Sequence, residues 1–149
     1  MPPLRRALLV LLLLGLVVTG SDLLLLEHYE DRWQLVPLGL IAVGLATVGA
    51  HVARQSLVSL RALRWVMVAF LLSGLAGLGL HHRGSRAFQV EVNPGLAGFE
   101  LFWRAAKAKT PPALAPAAMI HLGLLGLAYG FRHPLSSGPT DDVARRSDL

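Results

Sequence analysis

Four apolar stretches constrain this chain of 149 residues more than any other feature of its sequence. They cover residues 7–26, 35–52, 65–82 and 113–131. At a rise of about 1.5 Å per residue, each stretch comes close to the roughly 20 residues that a helix needs to cross a hydrocarbon core about 30 Å thick. The pattern predicts an all-α integral membrane protein in which residues 1–134 form a bundle of four transmembrane helices.

Composition supports this class and indicates what surrounds the chain. Hydrophobic residues make up 54% of the sequence and charged residues 15%, which is unlike a soluble domain. The formal net charge of +5 comes from basic residues that flank the apolar stretches. The expected partner is therefore the lipid bilayer with its anionic headgroups, and not nucleic acid. Because the chain has no cysteine, it can form neither disulfides nor thiolate metal sites.

The first apolar stretch has two interpretations. Arg5 and Arg6, the apolar residues 7–18 and the small residues before Ser21 fit a cleavable signal peptide. Apolar residues resume at 23–26, however, which makes the stretch long enough to span a membrane. We therefore expect a retained helix, whereas cleavage would leave three spans.

The distribution of basic residues predicts the orientation in the cell membrane. With the N-terminus inside, the cytoplasmic side carries eight arginines and the opposite side carries six basic residues. The first set comprises Arg5, Arg6, Arg54, Arg61, Arg64, Arg132, Arg145 and Arg146, and the second comprises Arg32, Arg83, Arg86, Arg104, Lys107 and Lys109. Because cytoplasmic loops carry an excess of Lys and Arg, we expect both termini in the cytoplasm.

The connection between the third and fourth stretches has features of its own. Phe88, Val90 and Val92 alternate with polar residues, which indicates a short extended segment. Aromatic residues then recur at helical spacing within residues 94–107, opposite charged ones, which predicts a short amphipathic helix at the membrane interface. This helix has two interpretations, a surface anchor or a lid over a site between the spans. The tail at 135–149 is rich in Ser, Gly, Pro and Asp and is predicted to be disordered.

Small residues recur at helical spacing in three of the apolar stretches. Small side chains let helix backbones approach closely, which drives helix association in lipid. The pattern predicts close packing within the bundle or its oligomer. The three sets are Gly39, Ala42, Ala46, Gly49 and Ala50; Ala69, Ser73, Ala76 and Gly77; and Gly123, Gly126 and Gly130.

A group of carboxylates and imidazoles is expected at one membrane face. The first and third spans end on the same side, which brings Glu27, His28 and Glu30 near His81. Imidazole and carboxylate are suitable ligands for a divalent ion such as zinc, iron or manganese. These four residues are the predicted metal ligands. The alternative is a solvated acidic turn beside ordinary interface histidines.

Two further polar residues lie inside apolar stretches, Asp22 in the first and His121 in the fourth. Ionisable groups in the membrane are costly and usually face a partner or a water-filled cavity. Each is therefore predicted to be either a proton or cation ligand or a partner in a hydrogen bond between helices.

Two hypotheses about function remain open, since no complete catalytic or nucleotide-binding motif is present. The first is a non-enzymatic helical bundle that acts as an oligomer or as an accessory subunit of a larger membrane assembly. The second is a metal-binding or proton-coupled transporter component that uses the His and carboxylate site on the extracytoplasmic side.

Overall fold

A computed structural model describes residues 2–27, 32–108 and 114–136 of the chain. The described residues form five α-helices, a short 3-10 turn and no strand. The helices are α1 (Pro3–Leu25), α2 (Leu35–Arg54), α3 (Leu57–Val92), α4 (Gly98–Ala106) and α5 (Leu114–Gly130), and the 3-10 turn is Pro134–Ser136. The prediction of an all-helical chain is confirmed. By length and composition α1, α2 and α3 are each able to cross a membrane, and α5 is a shorter apolar helix.

Four of these helices pack side by side. α1 packs against α2 and α5, and α3 packs against the same two helices. Each of the four thus has two packed neighbours, which places α2 and α5 at opposite corners of the bundle. α4 packs against α3.

Glycines bring α3 and α5 into close contact. A Cβ atom placed on Gly123 would lie 2.8 Å from the Met67 carbonyl oxygen, and one on Gly74 would lie 2.7 Å from the Pro116 carbonyl oxygen. Such distances leave no room for a side chain, so the two backbones approach as closely as small residues permit. Large side chains fill the rest of the core, with Leu12, Leu16, Leu60, Leu63, Met67, Phe70, Met119 and Tyr129 fully buried.

A tight turn joins α2 to α3. Gln55 ends α2 in the left-handed conformation, with a φ angle of 41°. Ser56 then caps α3, because its hydroxyl accepts the Ser59 N–H at 3.1 Å while the Ser59 hydroxyl accepts the Ser56 N–H at 3.2 Å. α3 therefore begins eight residues before the apolar stretch at 65–82. Arg61 and Arg64, which the sequence placed between the spans, lie inside this helix.

The other end of α3 also differs from the expectation. The alternating residues 88–92 were expected to be extended, but they continue α3 as an α-helix to Val92. Five alternating residues are a weak signal, and no proline interrupts the helix before Pro94. Asn93 ends α3, and the next helix begins only at Gly98.

The short helix α4 has two distinct faces. Leu101 and Ala105 are buried, whereas Phe99, Phe102 and Trp103 are largely exposed. Arg104 pairs with Glu100 at 2.8 Å on the surface, and the Lys107 ammonium lies 4.7 Å from the centre of the Trp103 ring system. The amphipathic helix expected within 94–107 is therefore present, over a shorter range.

The predicted sets of small residues do not all face the core. Gly123, Gly126 and Gly130 of α5 are buried as expected. In contrast, Gly39, Ala42, Ala46, Gly49 and Ala50 of α2 are all exposed. The α2 set therefore lies outside the buried core of this bundle. The tail prediction falls mostly on residues 137–149, which lie outside the described ranges.

Candidate functional site

The predicted metal ligands are only partly within the described residues. His28 and Glu30 lie outside them. Glu27 is exposed just beyond the end of α1, and His81 is half-buried on α3. Among the residues that the structure describes, no group of three or more His, Asp or Glu side chains is arranged to hold a metal ion.

His81 lines two clefts, one on each side of α3. The first has a volume of about 480 Å³ and lies where α2 and α5 begin, beside Gln34, Pro37 and Pro116. The second has a volume of about 460 Å³ and lies between α3 and α4, where Phe102 and Ala105 form part of its wall. Both clefts are mostly apolar, so they suit apolar groups better than a hydrated ion.

The two polar residues expected inside the membrane face away from the core. Asp22 is exposed one turn before the end of α1. His121 is exposed midway along α5, and its Nδ1 lies 2.8 Å from the Ala117 carbonyl oxygen. A carbonyl only accepts hydrogen bonds, so Nδ1 of His121 carries the proton and Nε2 carries the lone pair. The partner of His121 is thus its own helix and not a neighbouring one.

A buried group of polar side chains joins all four packed helices at the opposite end of the bundle. We call this group the polar junction. The His51 ring is fully buried, with Nδ1 2.9 Å from the Ser59 hydroxyl and Nε2 2.8 Å from the Tyr129 hydroxyl. The junction comprises Arg5 of α1, His51 of α2, Ser59 and Arg64 of α3, Tyr129 of α5 and His133 beyond α5.

Both ring nitrogens of His51 have a hydroxyl partner. The Ser59 hydroxyl lies 2.9 Å from Nδ1 of His51 and also 2.9 Å from the Ser56 carbonyl oxygen. A neutral imidazole has one donor and one acceptor nitrogen, so one of the two hydroxyls, Ser59 or Tyr129, donates to the ring and the other accepts from it.

His133 is held differently. Its Nδ1 accepts the Leu135 N–H at 3.3 Å, and its Nε2 is buried without a hydrogen-bond partner among the described residues. The His133 ring centre lies 5.7 Å from that of His51 and 5.4 Å from that of Tyr129. Burial lowers the pKa of His133, and the nearby Arg5, His51 and Arg64 lower it further.

Two arginines close the C-terminal end of α5. Arg5 donates to the Tyr129 carbonyl at 2.9 Å and to the Arg132 carbonyl at 2.8 Å. Arg64 donates to the Gly130 carbonyl. The last carbonyls of a helix have no partner within the helix and carry partial negative charge. The guanidinium groups satisfy these carbonyls and fasten α1 and α3 to the end of α5.

Signals for the polar junction in the sequence are only partial. A histidine in the apolar α2 and a Tyr and His four residues apart at 129 and 133 are visible in the sequence. The contact between His51 and Tyr129, however, joins residues 78 positions apart. Arg5 and Arg64 were interpreted only as determinants of orientation, because a charge count does not show which carbonyls a guanidinium reaches.

The chemistry available at the polar junction is that of imidazole, phenol and guanidinium groups. These groups bind protons and carbonyl oxygens, and no described carboxylate belongs to the set. The arrangement is suited to holding helix ends together and to binding or releasing protons. No protein-family model, no curated protein and no solved structure matches this chain.

Proposed function

We propose that this chain is a non-enzymatic multi-pass protein of the cell membrane that associates with a second copy of itself through the outer face of α2. In this proposal α1, α2, α3 and α5 span the membrane and α4 lies at its interface. The same surface would serve an accessory subunit within a larger membrane assembly.

The observation that carries the proposal is the outward face of α2. Gly39, Ala42, Ala46, Gly49 and Ala53 are exposed and are separated by alternating steps of three and four residues. At about 100° per residue they fall within an arc of roughly 80°, which is centred almost opposite the buried face of the helix. That buried face consists of Ile41, Gly44, Val48 and His51. A Cβ atom at Gly39 or Gly49 would meet nothing within 4 Å.

The outward face of α1 shows what a lipid-facing surface looks like in the same molecule. Leu11, Leu14, Val18 and Leu25 are between 54% and 83% exposed there. Lipid tails are as apolar as leucine, so small residues gain nothing by facing lipid. They do allow a second helix to approach closely. A mean spacing of 3.5 residues is also the period of left-handed helix pairs.

The dimensions of α3 and α4 support the interfacial assignment. α3 has 36 residues, which corresponds to about 54 Å and exceeds a hydrocarbon core of about 30 Å. Its C-terminal part therefore projects beyond the core in a four-span arrangement, and α4 packs against α3. The exposed Phe99, Phe102 and Trp103 with Lys107 nearby form the aromatic and basic surface that is typical of a membrane interface.

Cysteine cross-linking tests the proposed contact, because the chain has no cysteine of its own. A single cysteine at Ala46 or Gly49 should give a disulfide-linked dimer in membranes. A single cysteine at Val18 on α1, which is 65% exposed, is the matched control and should stay monomeric. Equal cross-linking at α1 and α2, or none at α2, would reject the contact.

A substitution series gives the second test. Ala46→Leu should reduce the dimer fraction in nanodiscs, measured by counting photobleaching steps, because the backbones could no longer approach closely. Ala62→Leu makes the same change at an exposed position of α3 and should leave the dimer fraction unchanged. A monomeric wild-type protein would contradict self-association.

A divalent metal site formed by Glu27, His28, Glu30 and His81 is the second candidate. The observation in its favour is the position of His81 beside the cleft where α2 and α5 begin, towards the end of the bundle where α1 ends. Metal analysis of the purified protein tests it. His81→Ala should lower the zinc or manganese content and His82→Ala should not, whereas absence of metal from the wild-type protein after zinc addition would reject the site.

A further inference from the structure

A buried imidazole lies at the centre of residues 131–136, which Arg5 and Arg64 also fasten to the bundle through the Arg132 carbonyl and the Ser136 hydroxyl. His133 is 5% exposed, and its Nδ1 accepts the Leu135 N–H at 3.3 Å. The Ser136 hydroxyl donates to the His133 carbonyl at 2.6 Å, and the Leu135 side chain packs against the hydrophobic core. The local turn is thus built around a histidine whose Nδ1 must keep its lone pair.

A neutral His133 fits this position, and a protonated one does not. Because Nδ1 accepts a hydrogen bond, the proton of the neutral ring lies on Nε2. A second proton on Nδ1 would face the Leu135 N–H and remove its acceptor. Protonation would also place a full positive charge in a buried position, which is costly without a counter-charge.

Within the ranges that the structure describes, the groups around His133 offer no such counter-charge. Every packed helix contributes a basic or neutral polar side chain, and no carboxylate is among the groups that shift its pKa. These side chains are Arg5 from α1, His51 from α2, Arg64 from α3 and Tyr129 from α5, with Arg132 on the segment itself. The carboxylates within the described ranges belong to other parts of the chain, namely Asp22, Glu27, Glu91 and Glu100.

We propose that His133 is a proton-binding site that latches residues 131–136 to the bundle at neutral pH and releases them on acidification. Release would break the contact between Arg5 and the Arg132 carbonyl and uncover the pair formed by His51 and Tyr129. The proposal concerns the end of the bundle at which α5 terminates, and it does not depend on self-association through α2.

The sign of the pH dependence follows from the direction of the shift. The pKa of His133 is lowered in the docked state from an ordinary value of 6.5, so the released segment binds the proton more tightly. Docking is therefore fully present above about pH 6.5 and weakens as the pH falls, by up to about tenfold in the docking equilibrium per pH unit. The loss continues until the pH reaches the lowered pKa of the docked ring.

A distance measurement on the full chain tests the latch. Spin labels are placed on cysteines introduced at Val58, which is exposed near the start of α3, and at Pro134, which is exposed within the segment. In nanodiscs at pH 7.5 we expect one narrow distance distribution. At pH 5 we expect a second, broader population, and an unchanged distribution would overturn the proposal.

Two variants make the test specific to His133. His133→Asn cannot titrate, so its distance distribution should be the same at both pH values, and a transition that persists in this variant would overturn the proposal. His121→Asn removes an exposed imidazole on α5 and should keep the wild-type transition. Loss of the transition in His121→Asn would assign it to the wrong histidine and would equally overturn the proposal.

A direct titration keeps the proposal falsifiable even if His133→Asn fails to dock. Nitrogen NMR of the wild-type protein should give a protonation midpoint for His133 below 6.5, and a midpoint at or above 6.5 would overturn the proposal. Arg5→Gln removes one nearby positive charge, so it should raise this midpoint. A midpoint left unchanged by Arg5→Gln would contradict the proximity of Arg5 to His133 on which the proposal rests.

Discussion

At the scale of single residues, the three histidines of the apolar and terminal segments solve the same problem in different ways. Each neutral imidazole has one donor and one acceptor nitrogen, and a buried ring needs partners for both. His51 finds both on neighbouring helices. His121 donates to its own helix and leaves its acceptor at the surface. His133 is the buried ring among them whose Nε2 has no partner in the described residues, and its Nδ1 accepts the Leu135 N–H. A proton added to Nδ1 would remove that acceptor, which is why protonation is expected to act there.

Tyr129→Phe tests the value of the hydrogen bond to His51. The substitution leaves the buried Nε2 of His51 without its 2.8 Å partner, so we expect the free energy of unfolding to fall by about 1–3 kcal/mol. Unfolding in mixed detergent micelles measures it. Thr47→Ala also removes one hydroxyl, but that hydroxyl is bonded to its own helix at Val43, so its effect should be small. Similar losses for the two variants would contradict a special role for the polar junction.

At the scale of helices, two glycines that each lie between two leucines in the sequence have opposite surroundings. Gly123 lies against the backbone of α3, whereas Gly79 has open space around it. Gly123→Ala should force α3 and α5 apart and lower the free energy of unfolding by about 1–3 kcal/mol. Gly79→Ala should be neutral or raise it by up to about 1 kcal/mol, because alanine is the better helix former. Thermal unfolding of both variants gives the comparison, and equal stability would refute the close contact.

The helices themselves were largely predictable from the sequence, but their ends and faces were not. Apolar length predicted the positions of the long helices α1, α2 and α3 and of the shorter α5, because that signal is local. The early start of α3 depends on Ser56 and Ser59, whose hydroxyls accept hydrogen bonds from each other's backbone N–H groups. In the sequence this capping pattern is a weaker signal than the nearby basic residues, which indicated a connection between spans. The outward direction of the α2 face was not predictable, since small residues pack equally well within a molecule and between two.

At the scale of the whole molecule, the two ends of the bundle differ in chemistry. One end gathers histidines, arginines and two helix C-termini, those of α2 and α5. The other end has Asp22, Glu27 and the cleft lined by His81. The polar junction could not be predicted from the sequence, because its contacts join residues far apart in the chain. Its arginines nevertheless belong to the basic set that is predicted to determine orientation, so the same residues are assigned two roles.

Arg5→Lys separates these two roles. Lysine keeps the positive charge, so the predicted orientation should not change, and cysteine reporters at Gly95 and Ser137 should still label from opposite sides. Lysine lacks the planar fork with which Arg5 reaches the Tyr129 and Arg132 carbonyls, so the free energy of unfolding should fall by about 1–2 kcal/mol.

Replacing both Arg5 and Arg6 by Gln removes the charge as well and should produce mixed labelling. Same-side labelling of the two reporters in the wild-type protein would reject the four-span arrangement. An Arg5→Lys variant as stable as the wild type would instead show that charge alone, and not the hydrogen bonds to α5, is what the bundle needs from Arg5.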